Sequence, residues 1–460
     1  MRDARPSTHD GLPVRVSFSR AAAILFLLVA TALIFAAIVN APLSYDGAFH
    51  FFQVVDKQAI RSGSRPFNAP LQLPTLVATH LTHNLAVLRL IYSICYVTIP
   101  ALALAASWIV CGPARRAWFV WPALSICLAA LPGQFAFHAE GIHGTNLLWP
   151  ALLFALGDMS AAHLPLVLML AVWSWGAYAA MALHFMVVAI AAFWSALIRP
   201  AVRLRGMMFG AAMILMAVTR LLKPIGPYGK KILGLGVFQF TFYSAVLGWP
   251  LLSALMTLIA GAALLWSLRS LRSAATAARI ATTAIVLGGV CLVPWAIRPG
   301  NWIDAQGYRF WYPAIAVVLM FGAMTEATWS SSADETSIQH RRAGSLVALG
   351  AVFLVVMSLQ SLTWMDMTRR LSNLIANANN ACVSRTQIEW LKDTPLQHWS
   401  TDYYVVELQS QKPAVVMLED NDCATLAATG KLRVGLSSQF RGPQDGWFDF
   451  SLVRPINPRP

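Results

Sequence analysis

The sequence predicts an all-α polytopic membrane protein with a small α/β domain at its C-terminal end, and three observations predict it. Of 460 residues, 57% are hydrophobic and 12% charged, against roughly 25% charged in a soluble domain. The apolar residues form long unbroken runs from Ala21 to Thr363, and a bilayer-crossing helix needs about 20 of them. Beyond Thr363 the chain turns polar. It carries Asn377–Asn380, short alternating segments at Ala414–Leu418 and Leu432–Leu436, and turn residues at Gly430 and Gly442–Pro443.

The first run, Ala21–Asn40, follows a polar, basic segment. It is long for a signal-peptide core and no small-residue cleavage site follows, so it reads as a retained span. In all, about eleven crossings are expected. They fall at 21–41, 86–110, 117–132, 147–157, two within 164–198, 206–218, 250–268, 280–297, 310–325 and 343–363. Loop charge orients them. Arg2, Arg5, Arg15 and Arg20 precede the first span and set the N-terminus in the cytoplasm. Arg115–Arg116, then Arg199, Arg203 and Arg205, then Arg269, Arg272 and Arg279, then Arg341–Arg342 all fall inside in the same register. The membrane module is thus 1–363, with outer loops 42–85, 133–146, 219–249 and 298–309, and 364–460 is a small extracytoplasmic domain.

The net charge of +14, from 34 Lys+Arg against 20 Asp+Glu, would suggest nucleic acid in a soluble protein. Here positive-inside loops and contacts with membrane lipids account for it, and no nucleic-acid partner is expected. Cys95, Cys111, Cys127 and Cys291 lie in or beside spans without metal-ligand spacing. Cys382 and Cys423 share the polar tail and are disulfide candidates if that tail is extracytoplasmic.

Four features carry chemistry, all on the outer side. Asp46, in Ser44-Tyr45-Asp46-Gly47, stands just past the first span. A partly dehydrated carboxylate there suits a general base acting on a hydroxyl; helix N-capping is the competing role. An interfacial helix follows, with Ala48, Phe51, Phe52, Val55 and Ala59 on one face and Gln53, Lys57 and Arg61 opposite. In the second outer loop, His138, Glu140 and His143 stand close enough to share a proton or hold a divalent cation, the one cofactor candidate, although their spacing matches no structural zinc pattern. An ordinary solvated polar loop is the competing reading. Arg220, Lys223, Lys230 and Lys231 surround Pro224-Ile225-Gly226-Pro227-Tyr228-Gly229 and break the positive-inside rule. A lipid phosphate would explain them; so would nonspecific headgroup contact. Finally, Gly307-Tyr308-Arg309-Phe310-Trp311-Tyr312-Pro313 opens a late span with an Arg that must snorkel or pair.

Together these features resemble the GT-C superfamily of polytopic glycosyltransferases. Its members carry an acidic residue just after the first span, as Asp46 is placed here, and many bacterial members open a late span with Arg-aromatic-x-x-Pro, like Arg309-Phe310-Trp311-Tyr312-Pro313. Many also end in a small outer domain. The resemblance implies a bacterial inner-membrane enzyme that takes a sugar from a polyprenyl-phosphate donor to an envelope glycan or lipid acceptor. Asp46 would be the catalytic base, with Glu140 and His138 beside it. Arg220, Lys223, Lys230, Lys231, Arg309 and Tyr312 would hold the donor phosphate. The family often shows a second acidic residue beside the first, or an acidic pair in the second outer loop; here Asp46 stands alone in the first motif and Glu140 in the second.

Two other classes compete. A transporter or flippase for a lipid-linked or anionic substrate predicts charges in mid-span and broken helices in symmetric halves. A noncatalytic scaffold of the same architecture predicts neither. A lipid-diphosphate ligase or polymerase usually carries a large outer loop between late spans, and here that loop is short.

Overall fold

A computed structural model describes residues 17–60, 66–129, 139–177, 181–222, 302–329, 335–391, 394, 396, 400–429, 447, 448, 450 and 453. For 302–311, 313–314, 328–329, 335–337 and 340–341 it describes the backbone alone. The described chain is overwhelmingly helical: α1 (Phe18–Ile38), α2 (Asp46–Lys57), α3 (Ala69–Thr79), α4 (Leu85–Cys111), α5 (Val120–Ala129), α6 (Glu140–Leu156), α7 (Leu164–Trp175), α8 (Met181–Ile198) and α9 (Arg203–Leu222). After 223–301, which lies outside the described residues, come α10 (Trp302–Trp329) and α11 (Glu335–Ala376), and then α12 (Thr401–Glu407) and α13 (Asp420–Thr429) of the tail.

Helices occupy each expected span that falls on described residues; the spans expected at 250–268 and 280–297 do not. Five helical stretches are long and apolar enough to cross a membrane: Phe18–Ile38, Leu85–Cys111, Met181–Ile198, Pro200–Leu222 and Arg342–Ala376. Leu164–Trp175 and Ile315–Ala327 are apolar but shorter. This is the build of an α-helical membrane protein.

Several boundaries move, and each move matters for the site. Helix α6 begins at Glu140 and α10 at Trp302, so Glu140, His143 and Tyr312 are helical residues. Helix α9 continues to Leu222, which takes Arg220 out of the loop expected from 219. Helix α11 has 42 residues, about 63 Å at 1.5 Å each. That is twice the roughly 30 Å hydrocarbon core, so it runs on past 363, beyond the expected end of its span. Helix α2 ends at Lys57, with Gln58 left-handed, so Ala59 is not part of its apolar face.

The helices alternate in direction. Helix α11 lies along α1, α8 against α9, and α6 against α4, α7 and α8. Small residues set the closest approaches. A Cβ on Gly350 of α11 would stand 3.2 Å from the Leu25 Cα of α1.

Arginines gather at one end of the bundle. Arg116 donates to Ser19 Oγ at the start of α1 (2.9 Å), and Arg115 pairs with Asp158. Arg199 donates to the carbonyls of Gly157 (2.9 Å) and Ala155 (3.3 Å), which close α6. Arg342 binds Glu326 (2.7 Å) and the Ala117 carbonyl (3.0 Å). These are residues that loop charge assigns to one face. Asp46 and Glu140 lie at the opposite end, where α1 finishes and α6 starts.

In the tail, β1 (Cys382–Ser384) pairs in parallel with β2 (Val416–Leu418), in the register Cys382 to Val416. The segment expected at 414–418 is β2; the one expected at 432–436 lies outside the described residues. A disulfide joins Cys382 to Cys423 on α13, with Cα atoms 5.6 Å apart and a sequence separation of 41. Chain-entropy reasoning gives such a closure roughly 4 kcal/mol. Cys382→Ser should therefore lower the unfolding midpoint of the tail and speed its proteolysis, and reduction should shift the mobility of the wild type only. Equal mobility with and without reductant would remove the bond.

Candidate functional site

The site is built on a strained connection. Helix α1 ends at Ile38, Asn40 turns left-handed (φ 55°), and a short 3-10 turn, Ala41–Leu43, leads to Tyr45. Tyr45 has φ 52° and ψ −130°, a region normally left to glycine that costs about 1–3 kcal/mol. The next residue, Asp46, opens α2, where its carboxylate meets the positive end of the helix dipole. Its side chain is partly exposed.

The expected interfacial helix is buried on both faces instead, including Gln53. Phe51 meets the edge of Tyr92 on α4, ring centroids 5.4 Å apart. On the other face Tyr403 of α12 packs against Phe49 (5.0 Å) and Phe52 (5.2 Å), and Phe448 stacks on Phe52 at 5.1 Å. The tail thus covers the side that would otherwise face headgroups. Trp447 and Phe448 also donate their backbone N–H groups to the Asp56 backbone and side-chain oxygens, both at 3.3 Å. Burial pushes the Asp56 carboxyl up, and the Phe448 amide and Lys57 pull against it.

Asp46 and Glu140 each have buried polar neighbours. Tyr92 Oη donates to the Gly47 carbonyl at 3.3 Å and lies in the field of Asp46. Tyr92 and Tyr96, one turn apart on α4, pack with ring centroids 4.7 Å apart, and Gln72 of α3 is fully buried. The Glu140 carboxylate, only 4% exposed, accepts from Asn68 Nδ2 at 2.6 Å.

Local structure explains how Asn68 is aimed. Its turn, Pro66–Asn68, is pinned to the end of α7. The Phe67 N–H donates to the Gly176 carbonyl at 3.3 Å, and Trp173 Nε1 donates to the Phe67 carbonyl at 2.9 Å. A Cβ at Gly176 would sit 2.9 Å from the Phe67 nitrogen, so the approach requires glycine. His143, buried one turn beyond Glu140, stacks on Phe67 at 6.2 Å. Its neighbourhood is aromatic, and among the described residues no group of three His, Cys, Asp or Glu side chains stands ready for a metal ion.

The other sequence candidates separate. Tyr312 is fully buried between helices. Its hydroxyl lies 2.8 Å from Ser125 Oγ on α5 and donates to Asn146 Oδ1 on α6 at 2.7 Å. It anchors α10 to the helix that carries Glu140. Arg309 lies one turn earlier on α10, with only its backbone described. Arg220 is buried, donates to the Ala177 carbonyl just past α7, and lies over the Trp175 ring at 5.8 Å. His138, Lys223, Lys230 and Lys231 lie outside the described residues.

Tyr92, Tyr96, Gln72 and Asn68 were not singled out by the sequence. The available signal was the i, i+4 tyrosine pair inside an apolar run. A further group, Glu407, sits in the apolar run Tyr403–Leu408 of the tail and is fully buried (0% exposed). Burial pushes its carboxyl well above the usual carboxylate range, and Arg89 of α4 pulls it partly back.

No known protein family matches the chain, and no curated protein or solved structure matches it either.

Two substitutions test the network. Asn68→Ala removes the Asn68 hydrogen bond to the buried Glu140 carboxylate, and Tyr312→Phe removes the hydroxyl that joins α10 to α5 and α6. Each should cost about 1–3 kcal/mol, read as a lower thermal midpoint in detergent; unchanged midpoints in both would show that the network is not holding the bundle.

Proposed function

We propose that the chain is a GT-C-type glycosyltransferase of a bacterial inner membrane. It moves a sugar from a polyprenyl-phosphate donor to an envelope glycan or lipid acceptor on the outer face. The observation that carries this reading is the placement of Asp46. It opens α2 directly after the strained backbone of Tyr45, and Tyr92 Oη of α4 donates to the carbonyl of the next residue, Gly47. It lies at the bundle end remote from the arginine cluster, which positive-inside reasoning makes the outer one.

The topology follows. Nine described helices, α1 and α4 to α11, alternate in direction. With the two crossings expected at 250–268 and 280–297 they make eleven, leaving the N-terminus in the cytoplasm and the tail outside.

In the reaction, the acceptor hydroxyl gives its proton to Asp46 and its oxygen attacks the anomeric carbon. The bond from that carbon to the phosphate oxygen breaks, and polyprenyl phosphate departs with the electron pair. A single displacement inverts the anomeric centre. Phosphate leaves readily, so no general acid is needed, and fixed positive charge stabilises it. Arg220 is already engaged with Ala177 and Trp175. We therefore assign the leaving charge to Arg309, with Lys223, Lys230 and Lys231, which lie outside the described residues, as further candidates. Glu140 orients the acceptor hydroxyls; His138, the other candidate of the second outer loop, lies outside the described residues.

The flippase alternative draws on His143 and His184, buried inside the bundle. Turnover separates the two. Purified protein in nanodiscs, given a panel of polyprenyl-phosphate-linked hexoses and pentoses, should release free polyprenyl phosphate. Asp46→Asn should reduce that release about 10²-fold or more while the protein stays folded, and Arg309→Ala should raise KM for the donor more than it lowers kcat. Full activity of Asp46→Asn ends the catalytic assignment.

Orientation has its own test. Single cysteines at exposed Gln58 and Asp158 should react with impermeant maleimide from opposite faces of sealed vesicles. Labelling from one face would overturn the topology.

A further inference from the structure

Three arginines from two connections converge on the turn that follows α6. Helix α6 ends at Leu156, and the chain turns through Gly157, Asp158 and Met159. Met159 has a left-handed backbone (φ 49°) and is buried. A methionine is rarely found in that conformation, and it persists only where its surroundings hold it. Arg199, just past α8, donates to the Gly157 carbonyl at 2.9 Å and the Ala155 carbonyl at 3.3 Å. Arg205, in the first turn of α9, donates to the Met159 carbonyl at 3.4 Å. Arg115, from the connection between α4 and α5, pairs with Asp158 and lies over the Trp118 ring at 5.4 Å. A Cβ on Gly157 would stand 3.3 Å from Arg115 Nη1, so glycine gives that guanidinium room against the turn.

The charges at this turn do not balance. Among the described residues the carboxylate that meets the three guanidiniums is Asp158, and the carbonyls they bind carry no net charge. Asp158 is already committed to Arg115, whose hydrogen bond holds its carboxyl below the usual carboxylate range. Neighbouring sequence supplies no second acid, because no Asp or Glu occurs between Asp158 and Asp304. Arg199 Nε is buried and has no hydrogen-bond partner among the described residues. Like charges gathered on one turn repel unless an anion joins them. Positive-inside placement accounts for arginines at this end of the bundle, but not for three folded onto the same turn. The planar guanidinium fork matches the oxygens of a phosphate. Beside the cluster, Leu197 of α8 and Leu204 and Met208 of α9 are exposed. They offer an apolar flank to acyl chains.

We infer that the turn 157–159, with Arg115, Arg199 and Arg205 around it, is a binding site for a phosphate group at the end of the bundle remote from Asp46. The apolar flank makes the headgroup of an anionic phospholipid its bearer, with free phosphate as the other source of the same chemistry. The site does not depend on the transferase reading.

The test uses the full chain, stripped of lipid in a neutral maltoside detergent. It is titrated separately with phosphatidylglycerol, with inorganic phosphate, and with dioleoylglycerol, which has the chains without the phosphate. Hydrogen exchange of amides 157–164 and native mass spectrometry are the readouts. Phosphatidylglycerol should slow that exchange and remain bound as one molecule per chain, and dioleoylglycerol should do neither. Arg199→Gln should weaken phosphatidylglycerol binding about tenfold or more, and Arg205→Gln should weaken it too. Asp158→Asn, which frees Arg115, should strengthen binding about twofold to fivefold; arginines that serve only to hold the turn predict no such gain. Arg20→Gln removes an exposed charge at the same end of the bundle and should change binding by less than about twofold. Protection by phosphatidylglycerol alone supports the site with the lipid as its occupant, and equal protection by inorganic phosphate supports it with the free anion. Protection by neither overturns the inference. A loss in Arg20→Gln equal to that in Arg199→Gln also overturns it, because the attraction would then belong to the whole surface. Should Arg199→Gln not fold, Arg205→Gln and Asp158→Asn decide.

Discussion

A charge buried in hydrocarbon must find a partner or reach water, and that constraint organises the whole bundle. The described arginines of 115–205 and Arg342 are drawn to one end. There they do two jobs: they remain near solvent, and they serve the carbonyls that helix termini leave open. Arg199 takes the Gly157 and Ala155 carbonyls, Arg205 the Met159 carbonyl and Arg342 the Ala117 carbonyl. Each contact fixes a helix end, so helix directions alternate and the acidic residues Asp46 and Glu140 collect at the far end.

At that far end the problem is reversed. The candidate carboxylates described there, Asp46 and Glu140, lie at helix N-termini. Glu140 has Asn68; Asp46 has the start of α2 and lies near Tyr92. Tyrosine suits this setting because its ring packs like phenylalanine while its hydroxyl bridges polar groups. Phe51, Tyr92 and Tyr96 together form a wall that is apolar in shape and polar along one seam.

The sequence made the fold class legible because hydropathy and loop arginines are local signals that burial in lipid enforces. Helix ends were less legible. Glu140 and His143 read as loop because they are polar, yet α6 begins there, since the helix needs an acidic N-terminus and Asn68 makes burial tolerable. Asp46 was visible from its position after a span. The Tyr92–Tyr96–Gln72 seam was not, because its meaning depends on which helices meet. Helix α2 shows the same limit: its amphipathic pattern pointed to a headgroup interface, and the tail, distant in sequence, supplies Tyr403 and Phe448 as cover instead.

Arg220 shows how such a contact changes a functional argument. By charge placement it is an exception, a cation on the wrong side, and an anionic ligand explains it. In the structure it occupies the last turn of α9, where a cation complements the helix dipole. Its guanidinium also satisfies the Ala177 carbonyl past α7 and rests on Trp175, which itself bonds Thr219 at 3.2 Å. These contacts account for its presence without a phosphate. The argument for an anionic donor therefore passes to Arg309, one turn from the Tyr312 anchor, and to the three lysines that follow α9. Arg309 is the stronger of these, because Tyr312 ties its helix to the same α6 that carries Glu140, so donor phosphate and acceptor would be positioned by one rigid element.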